Sequence, residues 1–140
     1  MDRPSRALIH MKTAFLWSER STCKRPDSKI GCVITNSEMT KILSIGYNGP
    51  PRKLHNDSCS NEQGKCGCIH AEMNAIAMCD STLKDKIIFV TKSPCRVCAS
   101  LIIQADITYV FFNDYYRDSQ GLDLLYEAGI KTTRLEIPSE

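Results

Sequence analysis

A chain of 140 residues, 42% hydrophobic and 24% charged, carries enough apolar side chains for one buried core and is too apolar for a disordered segment. Its formal net charge of +2, with both signs mixed along the chain, excludes the basic stripe that a polymeric nucleic acid demands, while one or two cations could still hold a small anion. There is no run of about 18 apolar residues to cross a membrane, and the charged stretch MDRPSRALIHMKTAFLWSERS lacks the apolar centre of a secretory signal, so a cytoplasmic protein is expected.

Residues 5–20 place Ala7, Leu8, Met11, Ala14, Phe15 and Ser18 at helical spacing, with Lys12, Glu19 and Arg20 off that face, which predicts an amphipathic helix. CKRPDSK (23–29) breaks it at proline. IGCVITN (30–36) and KILSIGYN (41–48) are short and rich in branched apolar residues, and they read as a β-hairpin across SEMT. GPPRKLHNDSCSNEQGKCG (49–67) is a polar loop long enough to call for a function or for something that pins it. Ala71, Ala75, Ile76 and Ala77 then favour a helix within CIHAEMNAIAMC (68–79).

KIIFVT (86–91) suits a central strand, and SPCRVCASLIIQA (93–105) predicts a helix with Ser93 as N-cap and Pro94 at the first helical position. ITYVFF (107–112) is another strand, SQGLDLLYEAG (119–129) a helix ending at Gly129, and IKTTRLEI (130–137) a last strand. Strands alternating with helices imply parallel pairing through right-handed crossovers. The expected architecture is a three-layer α/β/α arrangement with a five-stranded mixed sheet, filling residues 1–140 as one domain.

Eight cysteines stand at 23, 32, 59, 66, 68, 79, 95 and 98. A reducing compartment keeps thiols free, so the clustered ones read as metal ligands rather than as a disulfide framework. Cys32 and Cys79 each fall in an apolar run and are expected in the core.

Two short motifs carry chemistry. His70 and Glu72 stand two apart at the start of the 68–79 helix, and Pro94, Cys95 and Cys98 open the next one. In an α/β sheet, helices following parallel strands begin at the carboxyl edge, so the two motifs can face each other across one pocket. Cys95 and Cys98 can aim both sulfurs at one point, where a helix N-terminus favours the thiolate. With His70 they give zinc three ligands and leave a corner for water. Glu72 could ligate as well, but it is better used unligated, accepting a proton from that water. The bland alternative closes a structural zinc with Cys66 or Cys68, and such a site needs no glutamate beside the histidine.

This pairing of His-x-Glu with Pro-Cys-x-x-Cys resembles the signature of the zinc-dependent cytidine deaminase superfamily. PDSKIG (26–31), GYNG (46–49), HAEMNAI (70–76) and CASLIIQA (98–105) further resemble the deoxycytidylate deaminases, which convert dCMP to dUMP, over most of the chain. The resemblance implies a cytidine-deaminase-like fold and attack at C4 of cytosine. Glu72 would carry a proton from water to ring N3 and then to the departing amino group, with the dUMP feeding dTMP synthesis. Transfer RNA adenosine deaminases share the metal motif, but usually with a tryptophan before the asparagine and a different run after the glutamate.

Further roles follow from the same resemblance. Asn48 would contact the sugar, although YNG is also turn chemistry. The Ala71 N–H and the Ser93 carbonyl would read the base edge, and Tyr116 would pack near the base; from the residues alone, Tyr115 serves equally. Asn74 would orient the pocket or a subunit contact. Some members carry a second zinc that fixes the long loop, for which His55, Cys59 and Cys66 are the preferred ligands and Cys23 could join. The family is typically a homo-hexamer, activated by dCTP and inhibited by dTTP, with GYNG close to the effector site. Arg25, Lys29, Arg52, Lys53 and Arg117 lie near pocket loops and compete for the phosphate. The competing functions are a deaminase of dCTP, cytidine, or adenosine or cytidine in RNA, and a binding module with a structural zinc.

Overall fold

Five apolar segments become the strands β1 (Gly31–Thr35), β2 (Ile42–Tyr47), β3 (Lys86–Lys92), β4 (Ile107–Asp114) and β5 (Lys131–Arg134) of one sheet, ordered β2-β1-β3-β4-β5. The computed structural model describes residues 3–25, 27–54, 59 and 66–138. β1 pairs antiparallel with both β2 and β3, whereas β3, β4 and β5 run parallel, which gives the expected mixed sheet. β3 lies at its centre and is buried from Lys86 through Thr91, as its continuous apolar run requires.

Among the described residues four helices cover the two faces: α1 (Arg6–Ser18), α2 (Ala71–Ala77), α3 (Arg96–Gln104) and α4 (Gln120–Glu127). Strand alternation sorts the core. Val33, Ile87 and Phe89 point to the α1 face, where they meet Met11 and Ala14. Cys32, Ile34, Ile88 and Val90 point the other way, toward Ala71 and Ala75 of α2, Ile102 of α3 and Leu125 of α4. Cys32 is fully buried, and Cys79 is half-buried at the margin of that cluster. No helix among the described residues is long and apolar enough to cross a membrane.

Close backbone approach sets α2 against the sheet. A Cβ on Gly46 of β2 would stand 2.2 Å from the Ala71 carbonyl, so only glycine lets the first turn of α2 rest there.

The start of α3 differs from the sequence expectation. Cys95, not Ser93, is its N-cap, and the first helical residue is Arg96. The Ser93 N–H still donates to the Asp114 carbonyl at 2.8 Å, which keeps the chain extended beyond β3. The Ser93 hydroxyl instead accepts from the Tyr116 N–H at 2.6 Å. It ties the segment after β4 to the segment after β3.

Candidate active site

Both helices that meet at the carboxyl edge of β3 begin with a residue able to ligate a metal. His70 is the N-cap of α2, and its imidazole makes no capping bond. It turns toward α3, where Nδ1 lies 3.3 Å from the Cys98 sulfur and 3.5 Å from that of Cys95. Around a tetrahedral zinc, with bonds of about 2.0 Å to nitrogen and about 2.3 Å to sulfur, such corners stand about 3.5 Å apart. The three ligand atoms, all within 4.8 Å of one another, fit that ion and leave one corner open. The Cys98 thiol, aided by His70, works against burial to bring Cys95 down to about 4. The same contact with Cys95 pushes Cys98 up, and Cys95 raises His70.

Glu72 lies one turn into α2, 4% exposed, on the wall of a cavity of about 190 Å³ that also holds His70 and Cys95. Burial drives its carboxyl up to about 7, against a backbone hydrogen bond at the helix start and the charge of His70. A carboxyl so placed exchanges protons near neutrality.

The remaining site residues from the sequence separate cleanly. Ser93 and Tyr116 line the cavity, and Arg117 lies over the Tyr116 ring at 5.8 Å. Tyr115 is 59% exposed, lies against Phe112 and Arg134, and lines a different cavity, so of the two tyrosines it is Tyr116 that borders the cavity with Glu72. Asn48 lines the cavity while its Oδ1 accepts from the Ile30 N–H at 2.9 Å and its Nδ2 donates to the Ser28 carbonyl. It holds the 28–30 segment in place, a task that neither reading of YNG anticipates. Ala71 does not line the cavity; it is fully buried, and its carbonyl accepts from the Cys32 thiol. Its N–H belongs to the first turn of α2 and has no partner within the helix.

Of the cations weighed for a phosphate, Arg25 and Arg117 line this cavity, and Lys92 joins them. Sequence reasoning missed Lys92. The available signal was a charge closing an apolar strand at the carboxyl edge. Lys29 lines the neighbouring cavity, Lys53 is exposed, and Arg52 faces another cavity beside Gly46, Tyr47 and Gly49. That cavity, of about 450 Å³, also holds Arg20, which donates to the Tyr47 hydroxyl at 3.2 Å, and Asn74, which donates to the Tyr47 carbonyl at 2.9 Å.

A second donor cluster adjoins the first. Cys23, Cys59, Cys66 and Cys68 gather their sulfurs within 4.8 Å, and the Cys23–Cys59, Cys23–Cys66 and Cys59–Cys66 separations are each 3.7 Å. Tetrahedral corners at zinc–sulfur bonds of about 2.3 Å lie about 3.8 Å apart, so four thiolates suit a closed site. The Lys24 N–H donates to the Cys59 sulfur at 3.2 Å, as outer-shell groups around metal thiolates do. Burial opposes ionisation of Cys23, but hydrogen bonds from Ser28 and the Arg25 backbone bring it to about 7. The cluster therefore contains Cys59 and Cys66 of the expected set together with Cys23 and Cys68, while His55 lies outside the described residues.

Helix α4 supports the first site from behind. A Cβ at Gly121 would fall 2.0 Å from the Pro94 carbonyl and 2.9 Å from the Cys95 carbonyl carbon. Gly121→Ala should therefore displace Cys95 and weaken zinc retention by about tenfold or more, the scale of losses at groups that orient ligands. A chelator competition titration checks it.

A sequence model described as the cytidine and deoxycytidylate deaminase zinc-binding region matches residues 5–114. Human deoxycytidylate deaminase is 40% identical over 141 residues, covering 91% of this chain and 78% of that one. Deoxycytidylate deaminase of Saccharomyces cerevisiae is 32% identical over 151 residues, with 99% of this chain and 47% of that protein covered; the chain thus spans about half the length of the yeast relative. The crystal structure of the dCMP deaminase from cyanophage S-TIM5, in complex with dCMP and dUMP, superposes with a TM-score of 0.83 at 31% identity, covering 96% of this chain and 100% of that one.

Proposed function

The chain belongs to the cytidine and deoxycytidylate deaminase family, and from that premise we propose that it hydrolyses dCMP to dUMP and ammonia, supplying dUMP for dTMP synthesis in the cytoplasm. One observation carries the reading: a buried carboxyl, Glu72, shares a cavity with His70 and Cys95, two of three zinc donors that leave a corner open.

A zinc ion held by His70, Cys95 and Cys98 would supply Lewis acidity that lowers the pKa of a water from about 15.7 to about 7. Glu72 would take a proton from a water as the water's oxygen bonds to C4, and pass that proton to ring N3. It would then take the proton of the new C4 hydroxyl and deliver it to the amino nitrogen, so that the C4–N bond breaks as the C4 carbonyl forms and ammonia leaves. The Ser93 carbonyl orients the base edge, and Tyr116, anchored through its N–H to Ser93, packs beside it. Asn48 keeps one amide N–H for the sugar, since each of its two recorded bonds uses a different group.

Arg25, Lys92 and Arg117 receive the 5′-phosphate. A charge-assisted hydrogen bond is worth roughly 1.5–3 kcal/mol, so Lys92→Ala and Arg117→Ala should each raise KM for dCMP by about 10- to 100-fold. Deoxycytidine, which has no phosphate, should be turned over at an unchanged rate. Steady-state assays with both substrates check this. Ammonia release from dCMP, dCTP, cytidine and a transfer RNA tests the function itself: activity on RNA alone would replace the reading, and activity on dCTP would widen it.

The proposal extends to a second zinc in the Cys23, Cys59, Cys66 and Cys68 cluster, supported by the sulfur spacing. It also includes a single deaminase domain over residues 1–140, a homo-hexamer, activation by dCTP and inhibition by dTTP. The cavity holding Arg20 and Arg52 beside Tyr47 suits a polyphosphate. A sigmoidal dCMP saturation curve that dCTP makes hyperbolic is the expected result, with sedimentation giving the hexamer.

A further inference from the structure

At the end of the sheet away from the catalytic cavity, a lysine is buried with no ion pair among the described residues. Lys86 opens β3, is 1% exposed, and is the bulkiest of the fully buried side chains. Its Nζ donates to the Asp80 carbonyl at 3.4 Å, which occupies one of three N–H groups. Among the described residues Arg134 and Glu136 form an ion pair, and Lys86 forms none. The Lys86 charge helps hold the Asp80 carboxyl low, after the hydrogen bonds from Thr82, but neither Asp80 nor Asp106 pairs with the ammonium directly. Asp80 accepts from the Thr82 N–H and hydroxyl at 2.9 and 2.7 Å, and Asp106 accepts from the Asp85 N–H at 3.1 Å. A cation in apolar surroundings is costly unless paired and hydrogen-bonded.

Lys86 lines a cavity of about 200 Å³ whose walls are largely Ile34, Ile76, Leu101, Ala105 and Ile107. That exceeds the roughly 150 Å³ in which an apolar protein cavity takes up benzene. A neutral ligand would leave the lysine unpaired, and a phosphate would lose its hydration against these walls. We propose that this cavity binds a small apolar monocarboxylate, its carboxylate paired with Lys86 and its hydrocarbon part against Ile34, Ile76, Leu101 and Ile107. The site lies beside Ile76, near the end of α2, and Leu101 and Gln104, near the end of α3. The opposite ends of those helices carry Glu72 and Cys98. The proposal does not depend on the deaminase reading.

The test is a methyl NMR titration of the full zinc-loaded chain with benzoate, and separately with benzyl alcohol as the uncharged probe of similar shape. Saturable shifts confined to Ile34, Ile76, Leu101 and Ile107, at least tenfold tighter for benzoate, are expected. The absence of saturable benzoate shifts at those methyls, or equal affinity for the two probes, overturns the proposal. Lys86→Met should erase the preference for the acid. If that variant fails to fold, Leu101→Trp, at the half-open rim, should fill the cavity and abolish binding while leaving Lys86 in place; unchanged benzoate binding in it also overturns the proposal.

Discussion

Glu72→Gln should lower kcat/KM for dCMP by about 10⁴-fold, because one group performs proton transfers that each contribute roughly 10²–10⁴. The amide matches the carboxyl in shape but can neither accept the water's proton nor release one to the leaving nitrogen. His70, Cys95 and Cys98 are untouched, so zinc content should stay at the wild-type value. Stability should hold or rise, since the substitution removes a carboxyl that burial already pushes toward its neutral form. Ammonia release, elemental analysis and thermal melting of the one variant check all three statements. Activity within tenfold of wild type would remove Glu72 from the chemistry, and lost zinc would make it a ligand instead.

The second large effect is expected at the thiol cluster. Cys59→Ser should remove one zinc per chain and lower stability by about 4 kcal/mol, the range reached when a structural metal is lost. For a chain of this length that lowers Tm by on the order of 15 °C. Cys59 is 2% exposed, and its sulfur meets both Cys23, near the end of α1, and Cys66, so its loss unties three parts of the chain at once. A metal count of one per chain in the wild type, or a melting curve unchanged by the substitution, would dismiss the second zinc.

The grouping of His70, Cys95 and Cys98 was legible in the sequence because its geometry is local. A cysteine pair three apart at a helix start, and a histidine two before a glutamate, meet wherever parallel strands bring two helix starts together. The strand and helix order was legible for a related reason, since period-2 and period-3.6 patterns survive intact in segments such as KIIFVT. What stayed hidden depends on distant chain. Cys23 stands 43 residues before Cys66, so the sequence could offer it only as a residue able to join the cluster, and Cys68 was not among the ligands offered for it. Lys92 reads as an ordinary strand terminus until the fold places it on the wall of the cavity that Arg117 also lines. The N-cap fell at Cys95 rather than Ser93 because the Ser93 hydroxyl accepts from the Tyr116 N–H while the Cys95 sulfur accepts from the Cys98 N–H, a tertiary effect that local capping preference cannot register. Lys86 is the extreme case: a charged residue at a strand start ordinarily meets water, and here packed helix ends cover it.

Cys68 and His70 stand on either side of Ile69, so one residue separates the two donor groups along the chain. Ile69 is clasped by Gly49 in both directions, with the Gly49 N–H donating to its carbonyl at 3.2 Å and its own N–H donating to the Gly49 carbonyl at 2.7 Å. This small clasp acts as a mechanical firebreak. Changes to the polar stretch upstream that spare Cys59 and Cys66 can be absorbed before they tug on the imidazole, which leaves the positions between those cysteines free to diversify while the reaction centre stays in register.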